Sequence, residues 1–291
     1  AEVSRAIAEL SAQGDVFTTT LENLLRSYQG ETTKPQSAEE FRALARAFAT
    51  AEEKFSRAWL EISQIGNPLL KDYLAPVKRG LEEGLLALRL GRALTNEAPD
   101  LLGYRGERNY LLFFQNSAEI WAGGGAVTSL AQLTLEGGGV KKLILNDIYD
   151  FQNVKGIDEK RPEAFGPSNR PPIYIALSPD FSQNAKFFTR VFEQATKAKV
   201  DGVIGIDLHF GEKLLGITGP LLLTDFEEEI TSENLFEKIT TEVEQGFFPG
   251  STKKKRVMRA LSEGLLNKLF AIERENYAKV APLIWEALRG K

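Results

Sequence analysis

The feature that most constrains the fold is a pair of long apolar stripes in the first hundred residues, one on each side of Gly66-Asn67-Pro68. Apolar residues that recur every three or four positions predict amphipathic helices, here over about 38–65 and 69–94. Two long helices joined by a tight turn form an antiparallel hairpin. Shorter helices are predicted over 2–13 and 15–28. Residues 1–98 are therefore predicted to form a helical stalk or bundle.

The pattern changes at Pro99, where short apolar runs begin to alternate with turn signals. Residues 108–115 read RNYLLFFQ, an aromatic-rich run that is typical of a buried strand. Three glycines, Gly137-Gly138-Gly139, separate two alternating runs and predict a β-hairpin. The remaining predicted elements are strands over 126–135, 140–147, 200–207 and 217–223, a loop over 154–172, and helices over 182–198, 231–244, 253–268 and 271–288. Residues 99–291 are thus predicted to form an α/β (α+β) domain with a mixed sheet and flanking helices.

The composition excludes several classes of function. The formal net charge is −4, so the chain has no basic excess of the kind that nucleic-acid binding requires. Cysteine is absent and His209 is the only histidine, which excludes metal sites built from those residues. Without a G-x-S-x-G motif, serine hydrolase chemistry is disfavoured as well. The chain begins at Ala1 and its only methionine is Met258, which favours removal of an N-terminal signal or anchor segment.

A glycine-rich segment, 116–125, follows the first predicted strand and is the first candidate site. Its sequence is NSAEIWAGGG, with Glu119 near its centre and Gly124 and Gly125 at its end. Successive backbone N–H groups in such a loop can cradle a phosphate. The alternative is a tight crossover in which glycine relieves steric limits. The sequence leaves both interpretations open.

Charged residues at the ends of predicted elements complete the set of candidates. Asp180 and Asp207 could hold Mg²⁺, which prefers oxygen ligands and works with phosphates. Asp180 could instead cap the helix that begins near residue 182, and Asp207 could be a turn residue. Arg105 and Arg108 are candidates for contact with a phosphate, and the alternative is that they are solvated surface charges.

Five segments together resemble a known family. They are LLGYRGERNYLLFFQNSAEIWAGGGAVTS from Leu101, and then, in order, LSPDFSQNA, VDGVIGID, LLGITGP and ITSENL. These runs resemble the domain of unknown function 4012, which is in turn distantly similar to the LytR-CpsA-Psr phosphotransferases. The resemblance implies an extracytoplasmic protein with an N-terminal anchor in the cytoplasmic membrane. It also implies lipid-linked envelope glycopolymers as partners, held through arginines and an aspartate-bound Mg²⁺.

The chain departs from the family pattern at positions that would bind phosphate. Trp121 stands where the resemblance implies an arginine, and Gly123 stands where it implies a threonine. Residues 173–176 read IYIA where the family commonly shows Arg-Asp-Ala-Asn. Neither tryptophan nor isoleucine can make the bidentate phosphate contacts of an arginine.

Two functional hypotheses follow. In the first, the domain binds or transfers glycopolymers carried on polyprenyl pyrophosphate. Glu119 and Asp180 would then be catalytic, with Mg²⁺ on Asp180 and Asp207. Arg105, Arg108, Gly124 and Gly125 would complete that site by binding the phosphates. In the second hypothesis, the chain is a non-catalytic envelope scaffold or interaction protein that has kept the fold and lost the arginines.

Overall fold

The computed structural model describes residues 38–65, 70–155, 175–241 and 252–276, together with residues 26, 279, 280 and 283. The helices predicted over 2–13 and 15–28 lie outside the described residues except for residue 26, as does most of the loop predicted over 154–172. Half of the helix predicted over 271–288 is described, and its first described stretch contains a 3-10 helix at Arg274–Asn276. The chain forms two compact units, one made of 1–108 with 135–140 and the other of 109–134 with 141–291. The predicted boundary between residues 98 and 99 stays a prediction.

The first unit contains the predicted helical hairpin. Helix α1 spans Ala38–Ser63 and helix α2 spans Lys71–Leu101. Gly84 and Gly91 on α2 face aromatic rings of α1, and a Cβ on Gly91 would lie 2.4 Å from the ring of Phe48. Glycine thus permits the two helices to approach closely.

Helix α2 continues to Leu101, so the predicted end at residue 94 is wrong. Pro99 lies inside the helix, in its last turn. The missing N–H of a proline removes one hydrogen bond, and the end of the helix is closed by others. Leu102 N–H donates to the Ala98 carbonyl at 2.8 Å, and Tyr104 N–H donates to the Pro99 carbonyl at 2.8 Å.

Charged pairs line the surface of the hairpin. On α1, Glu39 accepts hydrogen bonds from Arg46 at 3.0 Å and from Arg42 at 3.1 Å. These two guanidinium groups, Arg46 more strongly, lower the pKa of the Glu39 carboxyl below its ordinary value. Between the helices, Glu52 pairs with Arg89 and with Arg92, each at 2.9 Å. The exposed pairs on α1 contribute little to stability.

The second unit is built on a four-stranded sheet with strand order β3-β2-β1-β4. The four strands are β1 Arg108–Asn116, β2 Ala126–Glu136, β3 Gly139–Asp147 and β4 Gly202–Asp207. Strand β4 is parallel to β1, with Tyr110 opposite Gly202 and Gln115 opposite Asp207. The sheet confirms the predicted strands over 108–115, 126–135 and 140–147.

The other pairings in the sheet are antiparallel. Thr134, near the end of β2, donates to Asn109 Oδ1 at the start of β1, at 2.7 Å. Strands β2 and β3 are joined by Gly137 and Gly138 alone, and both have positive φ, 58° and 83°. A two-residue turn with two positive φ angles matches the twist of a β-hairpin. The predicted hairpin is confirmed, and the sheet is mixed.

Helices cover both faces of the sheet. Helix α3, Phe181–Thr196, packs on the face that carries Leu111 and Phe113. Helices α4, Leu208–Thr218, and α6, Thr252–Phe270, lie on the opposite face. There, Phe114 and Ile206 line one small cavity together with leucines of both helices. This layered arrangement confirms the predicted α+β class with flanking helices.

A buried pair of serines joins α6 to the sheet. The hydroxyls of Ser129 on β2 and Ser262 on α6 lie 2.7 Å apart, and both residues are buried. The single hydroxyl proton of Ser262 is directed at the Met258 carbonyl, at 2.8 Å. Ser129 is therefore the donor in the pair, and Ser262 accepts.

The segment after β4 corrects two predictions. The strand predicted over 217–223 is wrong, because α4 occupies the chain up to Thr218 and strand β5 spans only Leu221–Leu223. Strand β5 pairs with β6, Glu228–Ile230, in a separate antiparallel hairpin. The predicted helix over 231–244 begins with mutual hydrogen bonds between Thr231 and Asn234, as its sequence suggests. Within the described residues, which end at 241 here, its α-helical part, α5, spans Leu235–Lys238, and residues 242–244 of the prediction lie outside them.

Candidate functional site

The candidate carboxylates and glycines lie where the two parallel strands end. The carboxyl ends of β1 and β4 lie side by side, because Gln115 is opposite Asp207. The glycine-rich loop 117–125 leaves the end of β1, and α4 begins directly after β4. In sheets with parallel strands, ligands commonly bind beyond the carboxyl ends of those strands. The loop and the start of α4 therefore form the candidate functional site.

The glycine-rich loop is fixed to the end of β1 by polar side chains. Asn116 is fully buried, and its Oδ1 accepts the Ala118 N–H at 3.1 Å. The Glu119 N–H donates to the Asn116 carbonyl at 3.1 Å. Gln115 Nε2 donates to the Gly123 carbonyl at 2.9 Å. The loop is thus a set of tight turns, as the crossover interpretation of the sequence requires.

Glycine is required at the end of this loop for conformational reasons. Gly124 and Gly125 have φ of 94° and 127°, which side-chain-bearing residues rarely adopt. A Cβ on Gly125 would lie 2.5 Å from the Asn116 carbonyl oxygen. These glycines would be needed whether or not the loop holds a phosphate, so their presence does not favour either interpretation.

Asp180 lies at the N-terminus of α3 and caps it. Its side chain accepts the Ser182 N–H at 2.8 Å, which confirms the cap interpretation. Buried Asn184 binds the preceding turn on both sides: its Oδ1 accepts the Ser178 N–H at 3.0 Å and its Nδ2 donates to the Ser178 carbonyl at 2.7 Å. This turn touches the glycine-rich loop, since a Cβ on Gly123 would lie 2.5 Å from Asn184 Nδ2.

Asp207 has the same role at the start of α4, where its side chain accepts the Phe210 N–H at 2.8 Å. Asp180 and Asp207 are both exposed. No cluster of three or more acidic or histidine side chains suited to a metal ion occurs in the part of the chain that the structure describes. The role of these two carboxylates in binding Mg²⁺ stays a prediction.

The two candidate arginines are at the other end of β1. Arg108 begins the strand, and its Nε donates to the Asp100 carbonyl at 2.9 Å. Arg105 pairs with the Asp100 carboxylate at 2.9 Å. From Arg108 to Asn116, at the strand's other end, the distance is roughly 25 Å at about 3.3 Å per residue. Arg108 and the glycine-rich loop thus lie at opposite ends of one strand, and the role of both arginines in binding a phosphate stays a prediction.

The positions that depart from the family pattern belong to the core. Trp121 is half-buried and packs against the cluster beneath α3. Ile175 and Ala176 are buried in that same cluster, and the Ala176 carbonyl accepts the Gly123 N–H at 3.0 Å. Residues 173 and 174 lie outside the described residues. The side chains found where arginine and asparagine are implied therefore stabilise the fold.

Sequence reasoning did not identify Gln115 and Asn184, the two amides that fix the loop and the turn before α3. Gln115 and Asn116 are the polar residues that end the apolar run of β1, and Asn184 lies inside LSPDFSQNA. Two amides directly after a buried strand were a signal that could have been used, because buried amides need partners.

The fold and the residues at the carboxyl ends of β1 and β4 define a class: an α+β domain with two parallel strands at one side of its sheet, capped helices near their carboxyl ends, and a preceding helical hairpin. Residues 105–243 match the model of the family described as Protein of unknown function (DUF4012). Neither a curated protein nor a solved structure matches the chain. Among the described helices, none has the length and apolar character needed to cross a membrane.

Proposed function

We propose that this chain is a non-catalytic interaction protein of the cell envelope, in which the family domain binds a partner. The observation that carries the proposal is the placement of the arginines. Arg105 and Arg108 are bonded to Asp100 before and at the start of β1, whereas Glu119, Gly124 and Gly125 follow its end.

A pyrophosphate carrier makes a strong electrostatic demand on a transferase site. Its charge has to be neutralised by cations or metal ions that lie within contact distance of the phosphates. Arg108 is roughly 25 Å of strand away from the loop that would hold the phosphates. Trp121, which stands where an arginine is implied, is half-buried and packs against the core cluster beneath α3. This arrangement supports binding without phosphoryl transfer.

The carboxylates support the same proposal, because each has a structural role. Asp180 caps α3 and Asp207 caps α4. The cap hydrogen bond occupies one carboxylate oxygen that a metal ion would also need. The second oxygen of each carboxylate is not used by the cap. The fold accounts for both aspartates without catalysis.

Transfer is tested with a polyprenyl-pyrophosphate-linked oligosaccharide as donor, Mg²⁺, and purified cell wall as acceptor. We expect no transfer above the level of a protein-free control, and no Mg²⁺-dependent donor binding at millimolar concentration. Transfer by the unaltered chain that is lost in both Asp180→Asn and Asp207→Asn would overturn the proposal. Asp225→Asn, an exposed aspartate outside this edge, is the matched control.

A second function, binding or transfer of lipid-linked glycopolymers, has one observation in its favour. Glu119, Gly124, Gly125, Asp180 and Asp207 all gather at the edge where β1 and β4 end. If this function holds, Mg²⁺ would be held by Asp180 or Asp207 and would neutralise the diphosphate. The transfer assay decides between the two functions, and Glu119→Gln would then be expected to lower the rate without changing donor affinity.

The location of the protein is part of the proposal and is supported by the resemblance of its motifs. The chain would lie outside the cytoplasmic membrane, held there by an N-terminal anchor. Protease added to intact spheroplasts should then digest the protein in its native host. Full protection of the protein, with digestion only after lysis, would contradict this location.

A further inference from the structure

The two edges of the sheet differ in their protection against an added strand. A strand at the edge of a sheet has unpaired N–H and C=O groups that can bond to a strand of another chain. Charged residues on the edge strand, lysine above all, discourage such pairing. Edge strand β3 carries Lys141 and Lys142, both exposed. Edge strand β4 has no charged residue between Asp201 and Asp207. Within the described ranges, the strand paired with β4 is β1 and no other. Of the two edge strands, β4 is thus the one that is not protected against pairing with an added strand.

A groove runs beside this edge, between β4 and α3. Its α3 wall is made of Phe181, Ser182, Ala185, Lys186, Thr189 and Arg190, and its β4 wall is residues 200–203. The β4 wall is apolar or small except for Asp201, whose carboxylate accepts the Asn109 N–H at 2.9 Å, whereas Lys186 and Arg190 contribute positive charge. Both basic residues are exposed. A strand added to β4 would lay the side chains of one face into this groove.

The spacing of the two basic residues matches an extended chain. Lys186 and Arg190 are four residues apart on α3, about 6 Å along the helix axis. Side chains on one face of a strand repeat every second residue, at about 6.6 Å. Carboxylates at alternate positions of an added strand would therefore meet Lys186 and Arg190 in turn.

We propose that β4 accepts an extended acidic segment of a partner protein, which adds to the sheet as a fifth strand with its carboxylates toward α3. This proposal rests on the proposed function and names the chemistry of the partner. Backbone hydrogen bonds to the strand edge give such complexes their affinity, and side-chain pockets give them specificity. A second copy of the chain fits poorly, because its β4 has no acidic residue between its ends and its own Lys186 would approach the same groove.

The proposal is tested by fluorescence anisotropy with the whole chain and a labelled, end-blocked peptide of eight alternating glutamates and valines. We expect saturable binding, and protection of the β4 amides from hydrogen exchange in the complex. Lys186→Glu should weaken binding by about tenfold, since an exposed charge contact is replaced by repulsion. Lys142→Glu makes the same charge change on the other edge strand and should alter affinity less than twofold.

Two control peptides separate strand addition from simple charge attraction. A peptide with lysine in place of glutamate should not bind. A glutamate–valine peptide with N-methyl groups on alternate residues cannot donate along one edge, and we expect it to lose most of its affinity. Equal binding of the N-methylated peptide, or equal affinity of Lys186→Glu, would overturn the proposal. So would saturable self-association of the chain that the peptide does not compete away.

Failure here can be distinguished from failure of the proposed function. An inert chain that binds none of the peptides would overturn strand addition at β4 and leave the non-catalytic function standing. Transfer activity that depends on Asp180 and Asp207 would overturn the function, whatever the peptides do.

Discussion

Replacement of Asp180 distinguishes a helix cap from a metal ligand. Asparagine caps helices about as well as aspartate, so Asp180→Asn keeps the hydrogen bond to the Ser182 N–H and removes the charge. Asp180→Ala removes both. If Asp180 is a metal ligand, both variants should lose metal binding. If Asp180 is only a helix cap, Asp180→Ala should lose the cap and Asp180→Asn should keep it.

The magnitudes follow from the geometry. Loss of the cap bond costs about 1 kcal/mol, and loss of a negative charge at a helix N-terminus costs about 0.5 kcal/mol more at an exposed site. Asp180→Ala should therefore lower the free energy of unfolding by about 1.5 kcal/mol, and Asp180→Asn by about 0.5 kcal/mol. For a unit of this size, these values correspond to melting points lower by roughly 3–6 °C and 1–2 °C.

The assay is urea unfolding followed by far-UV circular dichroism, with and without Mg²⁺. Asp225→Ala, an exposed aspartate away from α3, controls for the loss of an acidic residue. The cap reasoning is refuted if asparagine destabilises the protein as much as alanine does. A bound Mg²⁺ at a hundredfold excess over its Kd would add about 2.7 kcal/mol of stability, so an Mg²⁺ effect confined to the unaltered chain would assign Asp180 to a metal.

Three further predictions concern packing and charge. Ser262→Ala leaves the buried Ser129 hydroxyl without its acceptor and should cost about 1–3 kcal/mol, more than Ser129→Ala in the same denaturation assay. Gly91→Ala places a Cβ 2.4 Å from a ring on α1 and should lower the free energy of unfolding by about 1 kcal/mol, whereas Gly80→Ala, in open space, should raise it by about as much. In an NMR pH series, the Glu39 carboxyl should titrate below the ordinary pKa of 4.5. Its contribution to stability is complete above that pH and is lost as the pH falls through the lowered pKa.

The regular parts of the fold could be predicted because local signals agree with the final structure. The helical stripes around Gly66-Asn67-Pro68 gave the hairpin, and the glycines at 137–139 gave the β-turn. Helix α4 could not be seen. Its sequence, LHFGEKLLGIT, follows a strand directly and carries two glycines, so its apolar residues read as part of an extended run. The cap by Asp207 starts the helix, and such a cap cannot be told from a turn residue in sequence.

The candidate site was only partly predictable, for a related reason. The parallel pairing of β1 with β4 has no local signature, although it decides which loops meet. Sequence reasoning could therefore place Glu119, Asp180 and Asp207 at the ends of elements without knowing that they share one edge. For Arg108, sequence reasoning made the opposite error and grouped residues that the fold separates. It is close in sequence to the glycine-rich loop, but the length of a straight strand separates the two.

The pairing of β1 with β4 has a consequence for the order of events during synthesis. Asn109 and Asp201, which bond at the start of this pairing, are 92 residues apart. A ribosome adds these residues in roughly 5–20 s, at about 5–20 residues per second. During that interval β2 can cover one side of β1, but the side that β4 will occupy has no chain to pair with. Until residue 207 has left the exit tunnel, the apolar sequence YLLFF therefore lacks its partner on that side, and unpaired strand edges of this kind make a nascent chain prone to aggregation.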